Sequence, residues 1–387
     1  MPKKKRAANN TGSVYRRSDG RFGYSFTGPD GRQVSRTAKT EAEAVRRLGA
    51  ALSSMQRGEY VSPSAMLVKD WLHIWVSEYA PNTARASTLA TYRATIDGRL
   101  CPALGSIKLQ ALRTDSIQAL VNRQRAELSP ATIRRGMSIL KRALGQAVEN
   151  QLISRNPASA VKLPKAEQKE VSFLSEGESA ALLDVLPMTT YGRAVRFILG
   201  TGLRVSELCA LRWCDLFEDG FTVNQTLYIV DGKHLSEDEY KGLRLHASAP
   251  KTAAGRRFIP FNDKLRQIIG EQRKAQQLEY MRMGEIWRGG EPGKGTQYIF
   301  ATATGTPTDR HSIARALRTY LDKAGLEHRG PHALRHTFAT RWIQSGKDPV
   351  TLSKILGHAN VSFTLKTYVH ADTASKRAGM ETMATII

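Results

Sequence analysis

The sequence predicts a multidomain α+β protein. A small three-stranded sheet with one helix is followed by a helical bundle, and then by a mixed, mainly helical domain with a small antiparallel sheet. The 387 residues suffice for two or three domains. Short β-type runs separated by turn signals fill the start of the chain, and apolar positions with helical spacing dominate from residue 64 onward. Hydrophobic residues make up 41 %, which supplies enough apolar surface for buried cores and excludes a globally disordered chain.

The composition also indicates the kind of partner and compartment. A formal net charge of +23 predicts binding to a polyanion, most simply nucleic acid. The cysteines are too few for a disulfide framework and lack the paired spacing of a structural zinc site, so we expect a reducing compartment, with Cys209 and Cys214 buried. No apolar run resembles a signal peptide or is long enough to cross a bilayer, which predicts a soluble intracellular protein.

Residues 1–63 are predicted to form the first domain. A helix over residues 39–55, with apolar residues at every fourth position, follows three strands. The strand-like runs cover residues 13–16, 21–26 and 33–36, with turn signals at Asp19-Gly20 and Pro29-Asp30-Gly31 between them.

Basic residues are concentrated in this domain. Residues 1–60 carry 13 Lys/Arg and 5 Asp/Glu, a local excess of eight positive charges. We expect four arginines to line an exposed face of the sheet and to contact DNA, because strands can enter the major groove. The alternative is a soluble β-module that makes no such contact. The four are Arg16, Arg17, Arg21 and Arg32.

Residues 64–163 show helical periodicity throughout, which predicts a bundle as the second domain. Serine and threonine favour the N-cap position of a helix, because their hydroxyl oxygens accept hydrogen bonds from the first amides. The signals for the first three helices are an apolar face of Leu67, Trp71, Ile74 and Trp75, a helical run over residues 84–96, and an N-cap at Thr114 or Asp115.

A fourth helix is predicted to begin at Ser129-Pro130, since serine caps the helix and proline fits its first turn. Apolar residues then recur with helical spacing up to Val148, and four basic residues fall off this apolar stripe. A charged outer face is commonly just solvated, but a stretch with no acidic residue favours contacts with DNA phosphates. The four are Arg134, Arg135, Lys141 and Arg142.

The third domain is predicted over residues 164–387, and a capping-box pattern at Ser175 and Glu178 begins its first helix. Further along, residues 243–246 and 256–260 are expected to form the two strands of one hairpin, with Lys251 at its turn.

Candidate chemical residues of this domain occur in four short strings. Taken singly, each has an ordinary structural explanation, such as a helix-start ion pair, a hydrogen-bonded histidine or a core tyrosine. The spacing of three within the first two strings places each pair on one helix face. The residues are, in order, Arg204 with Glu207, His332 with Arg335, His358 after a glycine, and Tyr368.

Together these residues fit a metal-free attack on a phosphodiester. The transition state gathers negative charge on its non-bridging oxygens, which two guanidinium groups can neutralise in bidentate fashion. Two imidazoles can donate hydrogen bonds or move protons. A tyrosine, with an ordinary pKa of about 10, can be the nucleophile if the cations favour its phenolate. The phosphotyrosine ester preserves the bond energy, so no cofactor is expected, and Lys251 is the candidate general acid for the leaving 5′-oxygen.

The order and spacing of the strings GTGLRVSEL, PKTAAGRRFIP, HALRHTFAT and LGHANVSFTLKTYVH, over most of residues 200–371, resemble the tyrosine recombinases of the integrase family. The pattern is that of integrases from temperate phages and conjugative transposons. The resemblance places His336 and His370 just outside the catalytic set. It implies phosphate-clamping roles for Arg204 and Arg335, a general-acid role for Lys251, active-site imidazoles at His332 and His358, the nucleophile at Tyr368, and a supporting carboxylate at Glu207.

The same resemblance implies an arm-type DNA-binding domain in residues 1–63, a helical core-binding domain in residues 64–163 and a catalytic domain in residues 164–387. A homotetramer would cut and rejoin double-stranded DNA at core-type sites through a 3′-phosphotyrosine and a Holliday junction, while the arm domain binds distant sites. Host DNA-bending and excision-directionality factors are candidate accessory partners. The implied location is the nucleoid in a bacterial cytoplasm, without metal, cofactor or membrane.

Three alternative functions are less consistent with this pattern. A type IB topoisomerase-like enzyme would use similar chemistry but rejoin the same strand, and a DNA-binding protein could have lost catalysis. A metal-dependent nuclease is disfavoured, because no clustered carboxylates accompany the histidines. An apolar stripe at the C-terminus is expected to pack either on its own domain or on a neighbouring subunit; it contains Met380, Met383, Ile386 and Ile387.

Overall fold

A computed structural model describes most of the chain, namely residues 12–28, 31–57, 60–165, 172–229, 245–248, 253–358 and 360–368. The chain divides into two units, residues 1–168 and 169–387. Lys251, His370 and the C-terminal apolar stripe lie outside the described residues. Among the residues that the structure describes, no helix is both long enough and apolar enough to span a membrane.

The first unit begins with the predicted three-stranded sheet and helix. The strands β1 (Ser13–Arg16), β2 (Phe22–Thr27) and β3 (Gln33–Ala38) are antiparallel, with β2 in the middle. Helix α1 (Glu41–Gln56) begins after Thr40, whose Oγ1 accepts a hydrogen bond from the Glu43 amide at 3.3 Å. The small core between sheet and helix is formed by Tyr24, Phe26, Ala38, Ala44 and Leu48.

The remainder of the first unit is helical, as predicted. Helices α2 and α3 each continue into a π-helical turn, Trp75–Tyr79 and Ile96–Leu100 respectively. The core of the bundle buries Trp71, whose indole nitrogen donates to the Ala143 carbonyl at 2.8 Å, whereas Ile74 is exposed and does not share the predicted apolar face. The helices are α2 (Val68–Ile74), α3 (Ala86–Thr95), α4 (Cys101–Leu104), α5 (Thr114–Gln124) and α6 (Pro130–Glu149).

Helix α6 begins as its sequence predicts. Ser129 is the N-cap, and its Oγ accepts from the Thr132 amide at 3.3 Å, while Pro130 takes the first helical position. The apolar stripe is buried at Ile133, Met137 and Leu140. Because this stripe anchors the helix, its basic face is left on the outside.

The second unit is mainly helical, and the Ser175–Glu178 capping box at its start is present as predicted. Its core contains Phe197, whose ring contacts those of Phe221 and Phe300. The helices are α7 (Glu176–Val185), α8 (Thr190–Thr201), α9 (Val205–Ala210), α10 (Asp263–Met283), α11 (Arg310–Lys323), α12 (Pro331–Gln344), α13 (Pro349–Leu356) and α14 (Val361–Tyr368).

The strands of the second unit pair differently from the single predicted hairpin. Strand β4 (Gly220–Val223) pairs with β7 (Arg257–Pro260), and β5 (Thr226–Ile229) pairs with β6 (Leu245–Ser248), both antiparallel. The β4–β7 pairing places Phe221 opposite Ile259, and both are buried in the core. Burial of this pair explains why β7 joins an upstream strand that the sequence analysis did not identify.

The cysteines of this unit differ in environment. Cys209 is buried, as expected, and burial raises the pKa of its thiol to about 12. Cys214 is exposed, contrary to expectation, and lies between the buried Trp213 and Asp215 in a short 3₁₀ turn beyond the end of α9.

Candidate active site

Glu207 lies at the centre of the candidate site. Arg204 is the residue before α9, and the Glu207 carboxylate accepts from its amide at 2.9 Å and from its Nη1 at 2.7 Å. The predicted pairing across three residues is therefore present. Glu207 is only 3 % exposed, so the carboxylate needs charged partners to remain ionised in the interior.

A second arginine, Arg257 on β7, completes the coordination of this carboxylate. Its Nη2 lies 2.8 Å from Glu207 Oε2 and its Nη1 lies 3.2 Å from Oε1. Burial alone would raise the pKa of Glu207, but the hydrogen bonds and charges of Arg257 and Arg204 outweigh it and hold the pKa at about 2. Arg257 also donates to the carbonyl of Ile355 near the end of α13. This arginine therefore links α9, β7 and α13.

No role for Arg257 was predicted from the sequence. The alternation of side chains along a strand could have indicated that Arg257 is buried, because it is two residues from the apolar Ile259 and lies on the same face. The neighbouring Arg256 and Phe258 point outward. A buried arginine requires buried hydrogen-bond acceptors, and the carboxylate of Glu207 was a candidate in the same domain.

Arg335, on α12, is 3 % exposed and is held by the ends of two other helices. Its Nη1 donates to the Gly202 carbonyl at 2.8 Å and its Nη2 donates to the Leu356 carbonyl at 2.7 Å. The last carbonyls of a helix have no partner within the helix, so they are natural acceptors for a guanidinium group. Burial, and then the charge of Arg204, lower the pKa of Arg335 to about 9, which leaves it charged at neutral pH.

Glycine is required at these two helix ends. Gly202 and Gly357 have φ of 66° and 65°, in the left-handed region that glycine favours. A Cβ at Gly202 would lie 2.6 Å from Phe338 Cδ1, and one at Gly357 would lie 2.9 Å from Arg257 Nη1. The glycines of the Gly-Thr-Gly and Leu-Gly-His strings thus allow the close approach of the chains that carry the arginines.

His358 follows Gly357 and contacts Arg335, with 2.9 Å between His358 Nε2 and Arg335 Nη2. Because a guanidinium group can only donate, Nε2 must be the acceptor, and the imidazole proton resides on Nδ1. That nitrogen lies 2.7 Å from Thr364 Oγ1 and donates to it. Burial, followed by the charges of Arg335 and Arg204, lowers the pKa of His358 to about 4, so the ring is neutral at pH 7. Thr364, which is fully buried on α14, was not identified from the sequence.

His332 lies one turn before His336 on α12 and is open to solvent. Partial desolvation of its ring, and then the charges of Arg335 and Arg204, lower its pKa. Its ring meets that of His336 edge-on, with 5.8 Å between centroids. The imidazole is therefore near both arginines and remains accessible from outside.

Tyr368 ends α14 and is 6 % exposed. Its ring belongs to an apolar cluster with Ala339, Leu352 and Leu356, and its Oη lies 2.6 Å from His336 Nδ1. Burial raises the pKa of Tyr368, and the opposing charges of Arg335 and Arg204 do not overcome this effect. In this structure the phenol is therefore protonated at neutral pH, and the cations alone do not produce the phenolate.

These contacts bring together most of the residues that the sequence singled out in this domain. Lys251 lies outside the described residues, so its position relative to them stays a prediction. The backbone shortly after it does reach the site, because a Cβ at Gly357 would lie 3.0 Å from the Ala254 carbonyl oxygen. Each of these residues either contacts another group of the site or has its pKa shifted by a charge of the site. They are Arg204, Glu207, His332, Arg335, His358 and Tyr368.

The four basic residues predicted to contact phosphates from α6 are all exposed. Two of them already contact the protein. Arg134 Nη1 donates to the Pro164 carbonyl at 3.0 Å, and Arg142 Nη1 donates to Tyr92 Oη at 2.8 Å. The other two, Arg135 and Lys141, are also on the outer side of the helix.

The four arginines of the N-terminal sheet are exposed, but they do not line one face as predicted. Arg16 ends β1, and both Arg17 and Arg21 lie in the following turn, where they pair with Asp19. Arg32 precedes β3 at the opposite end of the sheet, which is about 20 Å away for strands of six residues. The carboxylate of Asp19 holds Arg17 and Arg21 at the first turn. Their contact with DNA stays a prediction.

Potential metal ligands occur together in the first unit. Among the described residues, donor atoms of His73, Asp97 and Cys101 lie within 4.8 Å of one another. His73 Nε2 already lies within hydrogen-bond distance of Asp97 Oδ1, at 2.9 Å, and burial raises the pKa of the Cys101 thiol. The group was not identified from the sequence, because its members are far apart along the chain.

Comparison with known proteins agrees with the strings and the geometry. Residues 172–375, more than half of the chain, match the model of the phage integrase family. Residues 67–124 match the N-terminal SAM-like domain of phage integrases. A XerC-like tyrosine recombinase of Caldanaerobacter subterraneus subsp. tengcongensis is 25 % identical over 89 % of this chain and 90 % of its own length. An integrase of Saccharopolyspora erythraea is 25 % identical over 95 % of this chain and 94 % of its own.

Solved structures show the same fold. The Tn1549 transposon integrase in complex with transposon right end DNA has a TM-score of 0.66 at 25 % identity, over 82 % of this chain and all of that one. The lambda integrase tetramer bound to a Holliday junction has a TM-score of 0.58 at 18 % identity, over 96 % of each chain. The predicted fold class is confirmed by these likenesses. The chain belongs to the phage integrase family and is a tyrosine site-specific recombinase, an enzyme that breaks and rejoins DNA.

Proposed function

We propose that this recombinase is the integrase of a mobile element and that Tyr368 is its nucleophile. The phenolic oxygen attacks a DNA phosphodiester, forms a 3′-phosphotyrosine and releases a 5′-hydroxyl. The 5′-hydroxyl of a partner duplex then attacks that ester, and two such exchanges form and resolve a Holliday junction. The observation that carries this proposal is a cluster of two guanidinium groups, two neutral imidazoles and a buried tyrosine, in which Arg335 contacts His358 and Tyr368 contacts His336.

Arg204 and Arg335 would clamp the non-bridging oxygens of the phosphate. Both guanidinium groups are already fixed, Arg204 by Glu207 and Arg335 by two helix-end carbonyls. Fixed donors need little reorganisation as negative charge develops, which is the main source of electrostatic catalysis. Glu207, shared with Arg257, would hold this arrangement rather than touch the DNA.

The imidazoles and Lys251 would complete the chemistry. His332 is open to solvent, so it is suited to donate a hydrogen bond to an incoming phosphate. His358, whose Nε2 accepts from Arg335, would hold that guanidinium group in place. Lys251 would protonate the leaving 5′-oxygen, which is a role that its string in the sequence supports. The phosphotyrosine ester conserves the energy of the broken bond, so the reaction needs no nucleotide cofactor and no metal.

The assembly would be a homotetramer on two duplexes in a bacterial cytoplasm, associated with the nucleoid. Residues 64–163 would bind core-type sites through Arg134, Arg135, Lys141 and Arg142, and residues 164–387 would carry the catalysis. Residues 1–63 would bind arm-type sites through Arg16, Arg17, Arg21 and Arg32. The lambda tetramer on a Holliday junction supports this assembly by its likeness of fold, and host DNA-bending and excision-directionality factors would be accessory partners.

A strand-exchange assay with two labelled duplexes that carry the element's attachment sites tests this function. The wild-type chain should yield recombinant duplexes and Holliday junctions, whereas Tyr368→Phe should bind the same DNA and yield neither. Tyr320→Phe is the matched control, because Tyr320 is another buried tyrosine of the same unit. Relaxation of supercoiled DNA without any exchange of strands between duplexes would instead indicate a topoisomerase and would contradict the proposal.

A further inference from the structure

His336 is the neighbour of the Tyr368 hydroxyl in the described part of the chain. It follows Arg335 on α12, and its Nδ1 lies 2.6 Å from Tyr368 Oη. The two rings are inclined at 48° with 5.6 Å between centroids. The imidazole therefore contacts the tyrosine through its hydroxyl group and does not stack on its ring. This distance is within the range at which a side chain transfers a proton.

Tyr368 needs a partner that can take its proton. Burial raises the pKa of the phenol, so little phenolate exists at neutral pH. The arginines near it, Arg335 and Arg204, can only donate hydrogen bonds and cannot accept a proton. The group in contact with Oη that can accept is the imidazole of His336.

The protonation state of His336 suits this task. Burial, then the neighbouring His332 and Arg335, lowers its pKa to about 4, so the ring is neutral at pH 7. A neutral imidazole has one acceptor nitrogen, and with its proton on Nε2 the acceptor is Nδ1, which faces Tyr368. When the DNA phosphate binds, its negative charge offsets that of Arg335, and the ring becomes a stronger base as the reaction begins.

On the basis of the proposed function, we propose that His336 is the general base of DNA cleavage. The Oη–H bond of Tyr368 breaks and its proton moves to His336 Nδ1, while the Oη–P bond forms and the P–O5′ bond breaks. The leaving 5′-oxygen takes a proton from the general acid, Lys251 in the proposed function. In rejoining, the 5′-hydroxyl attacks the phosphorus, and the imidazolium of His336 returns its proton to the departing Tyr368 oxygen.

The variant His336→Asn separates proton transfer from positioning, since the asparagine oxygen can occupy the place of Nδ1 and accept a hydrogen bond but cannot take a proton at this pH. His336→Gln is a second variant should the first fail to fold. His328→Asn is the matched control, because His328 is an exposed histidine of the same unit that pairs with Asp322. Mobility-shift binding to core-site DNA and thermal unfolding verify that each variant is intact.

The measured quantity is the rate of covalent adduct formation on a nicked suicide duplex, followed from about pH 6.5 to about pH 9. At pH 7 the His336→Asn rate should be about 100-fold below the wild-type rate, the lower end of general-base contributions. Without a base, attack depends on phenolate formed in solvent. The variant's rate should therefore rise about tenfold per pH unit, whereas the wild-type rate stays nearly flat.

A second substrate distinguishes the loss of a base from the loss of an acid. A sulfur atom in place of the bridging 5′-oxygen leaves without protonation, so it should restore cleavage by Lys251→Ala but not by His336→Asn. A His336→Asn rate within threefold of wild type, or a slower rate with an unchanged pH profile, would show that His336 only positions Tyr368 and would overturn the proposal. If the wild-type chain forms no adduct on either substrate, the proposed function itself fails.

Discussion

At the scale of single residues, one buried carboxylate holds the candidate site together. Glu207 accepts hydrogen bonds from both Arg204 and Arg257, and these cations keep it ionised although it is almost fully buried. Removing one partner of a buried ion pair leaves the other charge uncompensated, which costs more than the pair contributes. Arg257 is more buried than Arg204, so its loss should have the larger effect on stability.

Replacing Arg257 should therefore destabilise the second unit and misplace Arg204. We expect Arg257→Met to lower the free energy of unfolding by about 3 kcal/mol or more. Arg256→Met, which removes an adjacent but exposed arginine, should change it by less than about 0.5 kcal/mol. Urea unfolding measures both values. Equal effects of the two substitutions would show that the Arg257–Glu207 contact does not support the fold.

At the scale of secondary-structure elements, the site is built where helices end. Gly202 closes α8 and Gly357 closes α13, and the carbonyls next to these turns hold Arg335. A left-handed glycine is what allows a chain to turn sharply enough for this. The geometry of the candidate site therefore depends on two helix ends rather than on any one loop.

A pair of glycine substitutions tests that dependence. Gly202→Ala and Gly325→Ala both place a side chain at a positive φ, of 66° and 67°, and should each cost about 1 kcal/mol in stability. Only Gly202→Ala also brings a Cβ within 2.6 Å of Phe338, whereas nothing lies within 4 Å at Gly325. Adduct formation should thus fall at least tenfold in Gly202→Ala and stay near wild type in Gly325→Ala. Comparable activity of the two variants would contradict this account.

Secondary-structure elements also differ in how far the sequence predicts them. Helix starts were predicted where the capping chemistry is local, as at Ser129 and Ser175. Strand pairing was not, because β7 chooses its partner by burying Ile259 against Phe221, a contact between distant segments. For the same reason Arg257 and Thr364 were missed, since each is defined by a partner elsewhere in the chain.

At the scale of the whole molecule, the positively charged residues fall into a group inside the candidate site and a group on the surface. Arg335 is buried and Arg204 is half-buried in the second unit, while the arginines of the N-terminal sheet and of α6 are exposed. Burial and nearby positive charges lower the pKa values of His336 and His358, whereas the arginines hold the pKa of Glu207 low despite its burial. The stability of the second unit therefore depends on pH. Exposed cations chiefly govern the salt dependence of DNA binding.

The sign of this pH dependence follows from the shifts. His336 and His358 have pKa values of about 4 when folded, against an ordinary value of 6.5, so the unfolded chain binds protons first. Stability should therefore fall as the pH drops from 6.5 towards 4, and it should fall further below 4.5 as Glu207 is protonated in the unfolded chain. Thermal unfolding against pH measures this, with a smaller fall between pH 6.5 and 4 expected for His336→Asn. A wild-type midpoint that is constant or rises as the pH drops from 6.5 would contradict the assignment.

The most direct test of the central claim is to identify the residue that becomes linked to DNA. The wild-type chain is incubated with a nicked suicide duplex, the covalent complex is digested with trypsin, and the nucleotide-bearing peptide is sequenced by mass spectrometry. We predict a 3′-phosphate ester on Tyr368 and no adduct from Tyr368→Phe, with Tyr320→Phe unaffected. A stable adduct in Tyr368→Phe, or a wild-type adduct on any other residue, would contradict the assignment of the nucleophile.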